Sequence, residues 1–255
     1  MKEIIKTKQE IKVMRAGGRI LAQVLQEVVA AVRPGVTTHQ LNELAEQALR
    51  SRGAKPSFFG YGAEAGNPYP ATLCTSVGSE VVHAIPSPKL KLKSGQIVGL
   101  DIGCWYQGLC TDMAVTVPVG QVAEAAQKLL QVTAESLRQG LKQVRAGARM
   151  GDIGAAIQSY VEVSGFSVVR QLVGHGVGHS VHEDPPVPNF GRAGTGLELK
   201  AGMTLAIEPM VNMGLPEVKV LADSWTVVTA DGSLSAHFEH TVAVTKEGYE
   251  ILTLI

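Results

Sequence analysis

Leu92-Lys93-Ser94-Gly95-Gln96-Ile97-Val98-Gly99-Leu100-Asp101 returns 107 positions later (199 − 92) as Leu199-Lys200-Ala201-Gly202-Met203-Thr204-Leu205-Ala206-Ile207-Glu208. Each copy is a lysine-glycine turn, an apolar run of strand length and a closing carboxylate. A carboxylate at the end of a buried strand is costly unless something compensates its charge. Two copies in register predict two half-domains that aim acids at one shared centre.

The flanking sequence repeats as well. Ile20, Leu21, Val24, Leu25, Val28, Val29 and Val32 form a helical stripe ended by Pro34-Gly35. Thr37 and Gln40 then offer a capping box for a second helix burying Leu41, Leu44, Ala48 and Leu49, closed by Gly53. A second pair follows, with Leu129, Leu130, Leu137, Leu141 and Val144 on one helix and Ile153, Ile157 and Val161 on the next, ending at Gly165. Val32-Arg33-x-Gly35 matches Val144-Arg145-x-Gly147 at an offset of 112 (147 − 35). The expected organisation is one domain over residues 1–255, built of related halves at about 1–120 and 121–255.

Further echoes pair the polar residues. Val82-His83-x-x-Pro86 resembles Val181-His182-x-x-Pro185, and the strand opened by Asp112 resembles the one opened by Glu239. Asp101 thus pairs with Glu208, Asp112 with Glu239 and His83 with His182, while His175 has no counterpart. A hairpin turning within Gly103–Gly108 would set Asp101 and Asp112 on neighbouring strands, within reach of one point. Four acids in an apolar setting repel one another unless a shared proton or a cation intervenes. Four carboxylates and an imidazole exceed what one zinc takes from protein, and they suit two divalent ions about 3.5–4 Å apart. Cobalt, manganese, iron(II) and zinc all accept such a ligand set, and the chemistry it favours is hydrolysis by an activated water. His39, His179 and His237 read as structural or solvated, and His240 either supports Glu239 or packs its strand.

Composition excludes other classes. The 255 residues are 45% apolar, with 23 basic and 23 acidic side chains, which gives no electrostatic case for nucleic acid or an anionic membrane. Lys89-Leu90-Lys91-Leu92-Lys93 reads as a solvated turn or edge strand. Met1-Lys2-Glu3-Ile4-Ile5-Lys6 carries no apolar signal core, and no stretch approaches the roughly 20 apolar residues of a membrane helix. Cys74, Cys104 and Cys110 lack CxxC spacing, so neither a disulfide framework nor a thiolate metal site is expected.

Taken together, Gly174-His175-Gly176-Val177-Gly178 leading to His182-Glu183-x-Pro185, Asp101-x10-Asp112, Ala206-Ile207-Glu208-Pro209 and Ser235-Ala236-His237-Phe238-Glu239-His240-Thr241 resemble the type I methionine aminopeptidases. These belong to the pita-bread metallopeptidases, and the order and spacing match over nearly the whole chain. The resemblance implies an α+β pita-bread fold, a pseudo-twofold duplicated antiparallel sheet with outer helices. It implies two divalent metal ions, with Asp112 and Glu239 bridging, His175 and Glu208 completing one site and Asp101 chelating the other. It casts Glu208 as proton shuttle, and His83 and His182 as hydrogen-bond partners of the substrate and its oxyanion. Tyr69, Cys74 and Trp225 match apolar walls of the methionine pocket. Val181, Ala63 and Gly66 depart from a Phe, a Cys and a Tyr seen in members of the family, which predicts a reshaped pocket. The implied substrates are N-termini of nascent polypeptides with a small second residue, met in the cytoplasm and at the ribosome by a monomer. Two other readings stand beside this one: a pita-bread peptidase of different side-chain preference, and a binding module that has lost catalysis. The second would lack ligands, whereas all five are present here together with both histidines.

Overall fold

The computed structural model describes residues 5–254, so the Met1–Ile4 part of the charged N-terminal reading lies outside the described residues. Among the described residues four α-helices flank the sheet system: α1 (Lys8–Ala31), α2 (Thr38–Ser51), α3 (Glu124–Leu141) and α4 (Met150–Val163). The first-half strands are β1 (Lys55–Pro56), β2 (Leu73–Val77), β3 (Glu80–Val82), β4 (Ile97–Tyr106) and β5 (Leu109–Pro118). Then come β6 (Ser167–Val168), β7 (Gly174–Gly176), β8 (Glu183–Val187), β9 (Thr204–Ile207) and β10 (Met210–Asn212). The last are β11 (Val218–Val220), β12 (Val227–Thr229), β13 (Ser235–His237), β14 (Glu239–Val244) and β15 (Tyr249–Ile251). The main sheet runs β1-β4-β5-β14-β9-β7-β8, with β2 on β4 and β15 on β14. Its middle sets the hairpin β4-β5 beside the pair β14-β9.

Helix starts follow the sequence closely. Thr37 Oγ1 accepts from the Gln40 amide at 3.1 Å while Gln40 Oε1 accepts from the Thr37 amide at 3.0 Å, the expected capping box. An equivalent box at Thr7 and Glu10 opens α1. Val144, expected on α3, is buried just beyond that helix, which ends at Leu141. Gly95 and Gly202, equivalent turn residues of the repeat, adopt φ of 93° and 95°, a left-handed conformation that favours glycine.

Period-2 alternation divides each central strand between two surroundings. Val98, Leu100, Ile102 and Cys104 of β4 join Leu21, Leu25, Leu41 and Leu49 in one core beneath α1 and α2. Leu205, Ile207, Val242 and Val244 of β9 and β14 join Leu129, Leu141, Ile153 and Ile157 in a second core beneath α3 and α4. The opposite face holds the acids. α1 lies so close to the sheet that a β-carbon at Gly18 would stand 2.2 Å from the Leu252 carbonyl oxygen. Gly18→Ala is therefore expected to destabilise the protein by about 1–3 kcal/mol, because overpacking against backbone outweighs alanine's helix propensity. A lowered urea midpoint at unchanged slope would show it, and an unchanged midpoint would refute the close approach.

Two strand boundaries differ from expectation. β4 does not end at Asp101 but continues to Tyr106, and β5 begins at Leu109, three residues before Asp112. The hairpin closes through Gln107 and Gly108, both at positive φ (48° and 83°), a two-residue turn whose twist suits the flanking strands. Glu208 does follow β9 directly; Pro209 has no N–H to extend the ladder. No described helix is long and apolar enough to cross a membrane. Cys74, Cys104 and Cys110 are free and buried.

Candidate metal centre

Strand register brings the acids together. Asp101 pairs with Ala114, and Ala114 pairs with Glu239 across the next strand, so the two acids share a row and a face. Asp112 lies opposite Gly103, two residues from Asp101, which makes the two aspartates diagonal neighbours on that face. In the adjoining row Thr241 pairs with Ala206 and Ala206 with His175. Glu208, two residues beyond Ala206, completes the set, and His175 Nε2 lies 3.5 Å from its Oε1. One ligand atom each from Asp112, His175 and Glu239 fall within 4.8 Å of one another.

Hydrogen bonds from outside the centre fix the backbone that carries these side chains, and one fixes the His175 ring. Thr241 Oγ1 accepts from the Asp112 amide at 2.9 Å and donates to the Asp112 carbonyl at 2.7 Å, standing in for a ladder partner. Between β5 and β13, Thr116 Oγ1 accepts from the His237 amide and donates to the His237 carbonyl, both at 2.9 Å. Asn189 Nδ2 donates to the Glu208 carbonyl at 3.0 Å. The Nδ1–H of His175 donates to the Gly176 carbonyl at 2.8 Å, which leaves the Nε2 lone pair for a metal.

Ten sequence-derived residues line a single cavity: Asp101, Asp112, His175, Glu208, Glu239, His83, His182, Tyr69, Cys74 and Trp225. His83 reaches it from a left-handed backbone, φ 60°, a strained conformation for a non-glycine residue. Three expectations need correction. Ala63 and Gly66 sit on an exposed turn, and Val181 is buried in the apolar cluster that also holds Phe58, Tyr69 and Cys74; none of the three is among the residues lining the cavity. Phe58 and Tyr61 line the cavity instead. The Phe58-Phe59-Gly60-Tyr61 run was the signal available for them. His237, read as structural, is buried with Nε2 3.2 Å from Glu208 Oε2, off the line of a hydrogen bond. The alternation His237-x-Glu239-x-Thr241 places it on the acids' face. His240 shares the helix-side face with Val242, and its Nδ1 lies 2.9 Å from Thr253 Oγ1, so it packs the strand. His179 stands at the surface, 2.8 Å from Glu10.

The electrostatics call for a cation. Among the described residues no lysine or arginine lines the cavity, yet four carboxylates do. Burial, then the charge of Glu208, pushes Asp112 up to about 8; burial pushes Glu208 to about 8. Burial and then the neighbouring acids raise Asp101 and Glu239 well above the usual carboxylate range. Burial, and next the nearby imidazoles, lowers His175 to about 3 and His83 to about 4, so both are neutral at pH 7. Asp101 Oδ1, Asp112 Oδ1 and Glu239 Oε1 are buried with no hydrogen-bond partner. Gly103 keeps the space beside them open: a β-carbon there would stand 3.3 Å from Asp112 Oδ1 and 2.2 Å from Ser57 Oγ. Orphaned oxygens, absent counter-charge and one imidazole lone pair fit divalent metal binding.

The model of metallopeptidase family M24 matches residues 12–246. A methionine aminopeptidase from Clostridium perfringens is 51% identical over 253 residues, 99% of each chain. The crystal structure of a methionine aminopeptidase from Thermotoga maritima superposes with a TM-score of 0.95 at 46% identity, covering 98% of this chain and 99% of that one. An Xaa-Pro dipeptidase from Bacillus anthracis, 24% identical, shares the fold with a TM-score of 0.77 over 99% of this chain and 62% of its own. The α+β pita-bread architecture expected from the motifs is the one these structures share.

Proposed function

Because the chain belongs to metallopeptidase family M24, we propose that it is a methionine aminopeptidase, hydrolysing the first peptide bond of polypeptides that begin with methionine and carry a small second residue. One observation carries the reading: five metal-ligating side chains, His83, His182 and the apolar walls Tyr69, Cys74 and Trp225 line the same cavity. Two divalent ions (cobalt, manganese, iron(II) or zinc) would suit this ligand set; Asp112 and Glu239 would be shared between them, His175 and Glu208 would hold one and Asp101 the other. When bound, such a pair supplies a hydroxide at neutral pH and polarises the scissile carbonyl.

The chain's own residues do the rest. Tyr69, Cys74 and Trp225 take the methionine side chain, which fixes the first peptide bond against the acids. His83 and His182 hydrogen-bond the carbonyl oxygen as its charge grows. Glu208 takes the proton released by the attacking water and passes it to the leaving amine. Residues 1–120 and 121–255 are related halves of this one catalytic domain. The partners are N-termini of nascent polypeptides at the ribosome in the cytoplasm, and the chain acts as a monomer without nucleic acid or membrane.

Incubated with manganese, cobalt, iron(II) or zinc, the protein is expected to release methionine from Met-Ala-Ser and little from Leu-Ala-Ser. Inactivity with every metal would favour a binding module. Equal release of both first residues would instead favour a peptidase of different preference.

A further inference from the structure

His182 reaches the cavity from the loop before β8, and its Nδ1 lies 2.7 Å from the hydroxyl of Tyr61. The two rings also meet edge-on at 5.0 Å, and Tyr61 tilts against Trp225 at 6.4 Å. Tyr61 is firmly held. Its carbonyl accepts from the Tyr69 amide at 2.7 Å, and the adjacent Gly60 amide donates to the Tyr69 carbonyl at 2.9 Å. Gly60 and Gly62, both at φ 82°, turn the chain sharply on either side of it.

A neutral imidazole has one N–H and one lone pair, and the partner of one nitrogen decides which is which. Burial, then Glu64, raises Tyr61, which keeps its proton. Between a phenol and an imidazole the stronger bond is O–H to nitrogen, since the phenol is the better donor and the ring nitrogen the better acceptor. We infer that Tyr61 is a positioning residue: its hydroxyl donates to Nδ1 of His182 and fixes the tautomer whose Nε2–H is free to hydrogen-bond the scissile carbonyl oxygen. Without it, His182 divides between tautomers, and one of them presents a lone pair where the oxyanion needs a donor.

The inference rests on the proposed function for its kinetic consequence alone. Tyr61→Phe keeps the ring and removes the hydroxyl. With the zinc-loaded enzyme, nitrogen NMR of the imidazoles is expected to show His182 protonated on Nε2 in the wild type and divided between both nitrogens in the variant. In the same proteins kcat on Met-Ala-Ser should fall about 10–100-fold while KM is little changed, a split that loss of a pocket wall would not produce. An identical nitrogen pattern in the two proteins, or an unchanged kcat, would overturn the role. Should neither protein release methionine although the tautomer changes as expected, the functional reading fails and the positioning role stands.

Discussion

Asp112→Asn is expected to fold and yet lose turnover by more than the roughly 10–100-fold typical of residues that merely support a metal ligand. The substitution is nearly isosteric and leaves the backbone clamp of Thr241 on residue 112 in place. What goes is a negative charge that lies beside His175 and Glu239 and is diagonal to Asp101. Cation affinity falls because the amide offers one neutral oxygen in place of a carboxylate. The same change relieves repulsion in the metal-free protein. Since burial and Glu208 push Asp112 up to about 8, folding at neutral pH must protonate a group that is ionised in the unfolded chain, and the neutral amide removes that cost. The variant should therefore show lower activity together with an equal or higher unfolding midpoint in chelator. Activity lost through misfolding would lower both.

Chelation is expected to have the second large effect. Ions held only by the folded chain stabilise it by RT ln(1 + [L]/Kd), about 4 kcal/mol at a thousandfold excess over Kd. Chelator should then lower the melting temperature, and the loss should grow with pH. The acids have folded pKa values raised above their unfolded ones, so the stability they contribute is complete below about 4 and is lost as pH rises toward about 8. The buried histidines act oppositely. His83, at about 4, and His175 and His237, both at about 3, lose stability as pH falls below their ordinary value of 6.5. The two effects compete below pH 6.5, and from 6.5 to 8 the acids act alone among these groups. Over that interval the metal-free melting temperature should drop with rising pH, and saturating metal should abolish the slope. A flat metal-free profile would mean that the acids are not crowded as the structure shows.

The acids were legible because an apolar run closed by a carboxylate occurs twice in the sequence, and strand alternation then places Asp101 and Asp112 on one face. Where the strands end was less legible. Asp101 looked terminal because β4 is buried on both faces, and such a strand reads as a continuous apolar run with no marker of its middle. The turn at Gln107-Gly108 depends on a left-handed Gln107, a residue type that does not advertise it. Ala63 and Gly66 were placed in the pocket by matching a loop whose path only the fold determines. His237, read as structural or solvated, is buried beside Glu208; its spacing from Glu239 puts it on the acid face, but a lone histidine carries little information until its strand is known.

The count of metal ions per chain tests the central claim most directly. Titrating the metal-free wild type with manganese or cobalt in a calorimeter, with methionine release followed in parallel, is expected to show activity tracking the ions bound up to two per chain. Asp112→Asn should bind fewer under the same conditions. Full activity without bound metal, or full occupancy in Asp112→Asn, would contradict the account.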